Sequence, residues 1–209
     1  MGSSTDTKPF IARQIVLASS SPRRRELVAS LDLSLPVLIL STDADEGTPA
    51  DWAPSHIVEQ LALRKARAAV SMLGETQSDG SVIIGADTIV VLDGEVMGKP
   101  QHTAEAAAML GRLQGRQHEV YSGVACISPD GSRELVAHRR TLVTMKPLDR
   151  GRIDRYVASG EPMDKAGSYA IQGLGATLVD RIDGCYFNVV GLPLSLLSDM
   201  LSSFGVDVI

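Results

Sequence analysis

The stretch VIIGADTIVVLDGEVMGKP, residues 82–100, decides how the chain is read. Residues 82–84 and 88–92 are short runs rich in β-branched side chains, each expected to form a strand buried on at least one face. Asp93-Gly94 is a two-residue turn signal that folds the second run back on residues 95–97 as a hairpin. Between the runs sit Gly85, Ala86 and Asp87. A carboxylate in a buried strand is unfavourable without a partner, because an unpaired buried charge is costly. Gly85 has no Cβ and lets another backbone or a ligand approach. After the hairpin, Gly98-Lys99-Pro100 returns a cation on a loop. A strand that halts at a carboxylate, with a lysine brought back beside it, suits a site for a metal and phosphates. A turn-capping Asp87 and a solvated Lys99 fit the stretch equally well, and both readings stay open at this point.

At 209 residues the chain can bury one substantial core, as one domain or two closely joined lobes. Its 44% apolar and 22% charged residues are the make-up of a globular protein. A net charge of −5 argues against a nucleic-acid partner, which calls for a basic face, yet a few cations can still converge on a small anion. Two cysteines, Cys126 and Cys185, give no disulfide framework and point to a reducing cytoplasm. No apolar run reaches the roughly 20 residues of a membrane span. Residues 1–12 read as a disordered leader without signal-peptide character, and residues 13–209 as a single folded domain.

Residues 15–18 (IVLA) form a short buried strand that runs straight into SSSPRRREL, residues 19–27. Serine followed by proline as the first helical residue marks a helix start, and Leu27, Val28 and Leu31 give that helix its buried side. Its first turn offers free N–H groups, the hydroxyls of Ser19 to Ser21, and Arg23, Arg24 and Arg25, a ready anion site. Three cations at the positive end of a helix dipole destabilise it unless an anion neutralises them, which favours phosphate over a capped helix with solvated arginines. Residues 35–40 read as a strand leading to Asp43-Ala44-Asp45-Glu46. These carboxylates suit a hard cation such as Mg²⁺, or a solvated turn.

Residues 53–73 read as a helix capped by Ser55, with an apolar stripe at Val58, Leu61/Ala62, position 65, Ala68/Ala69 and Met72. Position 65 is lysine. It either snorkels outward or meets an anion, and Asp87 on the next strand favours an inward Lys65. Arg64 and Arg67 lie off the stripe's centre and read as solvated. Residues 103–113 form a second helix capped by Thr103, residues 119–127 and 135–145 form strands joined across Pro129-Asp130-Gly131, and residues 149–158 form a short helix. The four histidines have no metal-ligand spacing. The glycine-rich residues 164–175 bring Lys165 and Gln172, either as a loop whose backbone approaches a ligand or as an ordinary surface loop. Residues 176–182 and 185–190 read as a hairpin across Asp183-Gly184, and residues 192–204 as a closing helix.

Taken together, Leu17-Ala18-Ser19-Ser20-Ser21-Pro22-Arg23-Arg24, Gly85-Ala86-Asp87-Thr88, Gly98-Lys99-Pro100, Asp164-Lys165-Ala166-Gly167 and Ile171-Gln172-Gly173 resemble the Maf family of nucleotide pyrophosphatases. Five separated blocks in order are far more specific than any one alone, and the likeness runs from about residue 15 to the last helix. The resemblance implies an α/β fold of the inosine-triphosphatase-like (Maf/Ham1) type, a mixed twisted sheet with flanking helices and two lobes around a cleft. It also implies dependence on a divalent cation, Mg²⁺ or Mn²⁺, hydrolysis of a nucleoside triphosphate to monophosphate and pyrophosphate, and homodimers among relatives. Arg23, Thr88 and Gln172 resemble the subgroup acting on dTTP and UTP; the 7-methyl-GTP subgroup carries tryptophan, glutamine and glutamate there. The chemistry agrees. A methylated guanine is cationic and wants an aromatic face and a carboxylate, whereas a neutral amide can both donate and accept, as the edge of uracil or thymine requires.

On this resemblance water attacks the α-phosphorus and pyrophosphate leaves. Arg23, Arg24, Lys65 and Lys99 clamp the triphosphate with Ser19 and Lys165 beside them, Glu46 holds the cation with Asp87, and Asp87 accepts the proton. Catalysis is then mostly positioning and electrostatic stabilisation. Two rivals remain: a broad hydrolase of modified pyrimidine nucleotides, and a nucleotide-sensing regulator of cell division without significant turnover.

Overall fold

The computed structural model describes residues 10–74 and 78–209. Residues 1–9 of the expected leader lie outside the described residues, whereas Phe10 sets its ring edge-on to Phe204, with centroids 5.8 Å apart. The two apolar runs of the opening stretch are one twelve-residue strand, β3 (Ser81–Leu92), buried at every position except Thr88. Parallel to it lie β1 (Gln14–Ala18) and β2 (Val37–Leu40), joined by α1 (Pro22–Ala29) and α2 (Pro54–Met72), since parallel strands need crossovers. The expected hairpin forms: Asp93 and Gly94, both at positive φ, turn β3 back into β4 (Glu95–Met97). After α3 (Thr103–Leu113) come the antiparallel β5 (Gln117–Ile127) and β6 (Glu134–Met145), then α4 (Arg150–Ala158). Short 3₁₀ turns lead to β7 (Val179–Asp183), α5 (Tyr186–Val190) and α6 (Leu194–Ser202). The result is a seven-stranded mixed sheet in the order β2-β1-β3-β5-β6-β7, with β4 paired to β3.

Strand alternation on β3 distributes the packing. Its odd-numbered face lies under α2, where Ile83 meets Ala62, Leu63, Ala66 and Ala69, and where Ile89 and Val91 meet Ile57, Val58 and Leu61. Its even-numbered face carries two separate apolar cores. Val82, Ile84 and Ala86 pack with α1 and α6; Val90 and Leu92 pack with α3 and α4. Thr88 falls in the gap between these cores, and a cleft opens there.

Several local expectations are corrected. The N-cap of α2 is Ala53, without a side-chain hydrogen bond, rather than Ser55, because Pro54 already occupies the first helical turn. Met72 is exposed, and Leu63 and Ala66 join the buried stripe on either side of position 65. His102 caps α3 instead of Thr103, its Nδ1 accepting from the Glu105 N–H at 3.1 Å. The expected second hairpin does not form. β7 pairs with β6, but residues 186–190 leave the sheet as α5. Their β-branched and aromatic composition favours a strand. The helix is instead anchored by the buried Asn188 amide, which donates to the Val120 carbonyl and the Thr141 hydroxyl, both at 3.0 Å. No helix among the described residues is long and apolar enough to cross a membrane.

Candidate active site

The cleft has a volume of about 820 Å³ and is lined by all ten residues singled out from the sequence: Ser19, Arg23, Arg24, Glu46, Lys65, Asp87, Thr88, Lys99, Lys165 and Gln172. They come from six separate parts of the chain. Two glycines set the depth of its floor. A Cβ on Gly85 would stand 2.0 Å from the Ala62 carbonyl oxygen, and one on Gly123 2.2 Å from the Val58 oxygen. Only glycine at both positions lets α2 lie directly on β3 and β5.

That close approach brings Lys65 to Asp87. The lysine turns inward, and its Nζ donates to Asp87 Oδ1 at 2.6 Å while standing 2.7 Å from Glu46 Oε1. Its side chain is 15% exposed and that of Asp87 11%, so the pair is shielded from bulk water. Glu46 is more open, and its hydrogen bond from Lys65 holds its carboxyl below the usual range. Two carboxylates thus share one ammonium, and Glu46 and Asp87 are the residues that could hold a hard cation. Among the described residues no group of three or more His, Cys, Asp and Glu side chains gathers for a metal. Two carboxylates suit Mg²⁺, which commonly completes its oxygen shell with water and substrate phosphates.

Around α1 the arginine triplet separates. Ser21 is the N-cap and Pro22 begins the helix, as the sequence indicates. Arg25 folds back to the Ser20 carbonyl at 2.8 Å. Arg24 is directed inward: its guanidinium donates to the Gly191 carbonyl at 2.8 Å, the Ala86 carbonyl at 2.9 Å and Thr88 Oγ1 at 3.0 Å. Burial lowers its pKa, with the nearby Asp87 charge opposing the shift. Arg24 therefore braces the cleft wall between β3 and the end of α5. Arg23 reaches across the opening to Asp164, 3.5 Å away. Thr88 is similarly engaged. Ser122 donates to the Asn188 carbonyl at 2.8 Å, so at the 2.7 Å contact between Thr88 and Ser122 it is Thr88 that donates.

On the opposite wall, Gly98 accepts from the Gly167 N–H at 3.0 Å, which ties the Lys99 loop to the turn after Lys165. Lys165 donates to the Glu161 carbonyl at 2.9 Å and also pairs with Asp164. Gln172 stands in the segment that follows. Sequence reasoning missed Arg64. Instead of dissolving in water, it donates to the carbonyls of Gly47 at 2.6 Å and Asp45 at 3.2 Å, with its guanidinium carbon 5.7 Å from the Trp52 ring centroid. It pins the loop that carries Glu46 to the same helix that carries Lys65. Its position one residue before an inward lysine was the available signal.

This arrangement can bind a polyanion between cationic walls and present a carboxylate to it. Known proteins resemble this chain over most of its length. A dTTP/UTP pyrophosphatase from Pelotomaculum thermopropionicum is 50% identical over 197 residues, covering 94% of this chain and 100% of the relative. One from Symbiobacterium thermophilum is 50% identical over 196 residues, covering 94% and 96%. A solved dITP/XTP pyrophosphatase from Mycobacterium abscessus matches at a TM-score of 0.40 and 22% identity, covering 65% of this chain and 75% of that one, too slight a likeness to argue from. The Maf-like protein family matches residues 14–204, nearly the full length described, and the chain belongs to that family.

Proposed function

We propose that this chain hydrolyses dTTP and UTP to the monophosphate and pyrophosphate, and that the cleft is where it does so. The observation that carries the reading is Lys65, held between Asp87 and Glu46 at the floor of a cleft whose walls bear Arg23, Lys99 and Lys165. The full-length similarity to relatives named dTTP/UTP pyrophosphatases supports the choice of substrate.

In this reading Arg23, Lys99 and Lys165 bind the triphosphate, and Asp164 gives up its hold on Arg23 as the anion enters. Lys65 stabilises the charge that grows on the phosphoryl oxygens, where a fixed cation in a shielded site acts most strongly. Asp87, with Oδ1 engaged by Lys65, presents Oδ2 to the attacking water and takes its proton. The new bond forms from the water oxygen to the α-phosphorus. The bond from that phosphorus to the α,β-bridging oxygen breaks, and its electron pair leaves with pyrophosphate. Glu46 and Asp87 would hold a divalent cation, Mg²⁺ or Mn²⁺, which would supply a more acidic water and neutralise phosphate charge. This matters because a carboxylate on its own is a weak base for free water. Gln172 offers both a donor and an acceptor to the N3–H and carbonyls of a uracil or thymine ring. A reducing cytoplasm belongs to the same proposal, supported by the free thiols of Cys126 and Cys185.

A panel of nucleoside triphosphates at equal concentration, with pyrophosphate detection and with and without Mg²⁺, tests the proposal. dTTP and UTP are expected to turn over fastest, giving monophosphate and pyrophosphate in equal amounts. Tight binding without pyrophosphate release would instead favour a sensing role.

A further inference from the structure

Glu161 opens the 3₁₀ turn that follows α4 and does not line the cleft. Its carboxylate accepts three hydrogen bonds: from the Tyr156 hydroxyl to Oε1 at 2.8 Å, from the Gly175 N–H to Oε1 at 2.8 Å, and from the Leu174 N–H to Oε2 at 3.0 Å. The Tyr156 oxygen in turn accepts from the Ala170 N–H at 3.1 Å. The segment from Ala170 to Gly175 is thereby pinned at both ends by one tyrosine–glutamate pair, with Gln172 between the pins. The pinning leaves no slack. A Cβ on Gly173, at φ +63, would stand 2.6 Å from Glu161 Oε2, and one on Gly175 would stand 2.2 Å from the Ala170 oxygen and 2.6 Å from the Tyr156 oxygen. Burial raises the Glu161 pKa, but the bonds from Gly175, Tyr156 and Leu174 and the charge of Lys165 outweigh it, and the carboxyl is held below its usual range. An ionised carboxylate is what two converging backbone N–H groups and a hydroxyl require, since it accepts at every lone pair.

We propose that Glu161, together with Tyr156, is a positioning pair that sets base selectivity by fixing the backbone on which Gln172 is presented to the cleft. The proposal rests on the dTTP/UTP reading above and assigns it a residue that touches no substrate. A hydrogen bond weakens steeply with distance and angle, so an amide reads the edge of a base only if its main chain is held. A site that hydrogen-bonds the right base rejects the wrong one by leaving polar groups unpaired, and a slack Gln172 loses that penalty.

Glu161→Gln tests this. Its amide keeps one accepting oxygen but turns an N–H₂ donor towards a backbone donor, so the clamp on one side of Gln172 is lost while size is conserved. The expected result is a rise of about tenfold in KM for UTP, kcat within about twofold, and a preference for UTP over CTP and ATP that narrows by about tenfold. Tyr156→Phe keeps the ring in its core and removes only the hydroxyl. It is expected to move the same ratios in the same direction by less, and it supplies the reading if the first variant does not fold. A merely structural role would lower activity on all three nucleotides alike, and unchanged ratios in both variants would overturn the proposal. Wild-type protein that releases no pyrophosphate from UTP would overturn the substrate reading as well. Wild-type turnover with unmoved ratios in the variants would overturn the role of Glu161 alone.

Discussion

Replacing Gly85 by alanine should damage stability and turnover together, because one glycine sets the distance between α2 and the sheet. The added Cβ would lie 2.0 Å from the Ala62 carbonyl oxygen and 2.8 Å from the Ala66 nitrogen, where ordinary contact begins at 3.4 Å. Both obstacles are main-chain atoms of a helix, so neither can rotate aside, and α2 has to withdraw by more than an ångström or tilt. Overpacking of this kind costs about 1–3 kcal/mol, and the absence of a flexible neighbour places Gly85→Ala towards the upper end. For a chain of this length that lowers the melting temperature by about 4–12 °C. Lys65 immediately precedes Ala66, so the withdrawing helix carries it away from Asp87, now 2.6 Å distant. Misplacement by an ångström can lower turnover by about 100-fold, and kcat for UTP is expected to fall between about 10- and 100-fold. A thermal melt and steady-state pyrophosphate release measure the two effects. Gly111→Ala is the control: Gly111 is exposed on α3 with nothing within 4 Å of its would-be Cβ, and the change should stabilise by about 0.5–1 kcal/mol without touching kcat. A Gly85→Ala protein that melts within about 1 °C of wild type with unchanged kcat would refute the reasoning that close helix–sheet approach holds the site.

Lys65→Ala leaves two carboxylates facing each other, one of them almost buried, and should cost about 1–3 kcal/mol of stability while lowering kcat/KM for UTP at least tenfold; wild-type kinetics would mean the lysine has no part in the reaction. Arg64→Ala frees the loop bearing Glu46 and should raise the Mg²⁺ concentration needed for half-maximal activity several-fold at little change in saturated kcat, which a metal titration reads directly. His118 is buried beside Tyr169, with Nε2 2.7 Å from the Tyr169 hydroxyl, and burial pushes its pKa down to about 4. Its contribution has a definite sign. Below pH 6.5 the unfolded chain takes up a proton that the folded chain refuses until about pH 4, so stability falls across that window, by about 3 kcal/mol if this group acts alone. Urea unfolding of His118→Gln at pH 7 and pH 4.5 should show a smaller loss on acidification than wild type; an identical loss would remove His118 from the account.

The parts of the fold that were legible in the sequence are those where local chemistry and tertiary packing ask for the same thing. Asp93-Gly94 demands positive φ at both positions and forms its hairpin. Ser21-Pro22 caps and starts α1 as such a pair does elsewhere. A glycine beside an aspartate inside an apolar strand predicted a close approach, and the approaching atoms are those of the α2 backbone. Misreadings arose where a distant partner decides. The strand is expected to halt at Asp87, yet β3 runs straight through it, because the inward Lys65 that Asp87 favours, 22 residues earlier, supplies the counter-charge. Residues 185–190 have strand composition, but the helix they form is anchored to β5 and β6 by Asn188 and by the Cys185 main chain, partners distant in sequence. Charge alone could not separate the three arginines after Pro22. Arg24 is set by carbonyls at Gly191 and Ala86 and Arg23 by Asp164, all distant in sequence, whereas Arg25 turns back to the nearby Ser20 carbonyl. The ten candidate side chains were each individually weak, and their gathering in one cleft is a property of topology: Thr88 occupies the seam where two apolar cores on one strand face fail to meet.

The most direct measurement is pyrophosphate release from UTP by Asp87→Asn, paired with titration of a non-hydrolysable UTP analogue against the same protein. Turnover is expected to fall by about 100-fold or more, the worth of a positioned general base, with analogue affinity kept within a few-fold because Arg23, Lys99 and Lys165 are untouched. Asp87→Asn protein that releases pyrophosphate at the wild-type rate would contradict that role.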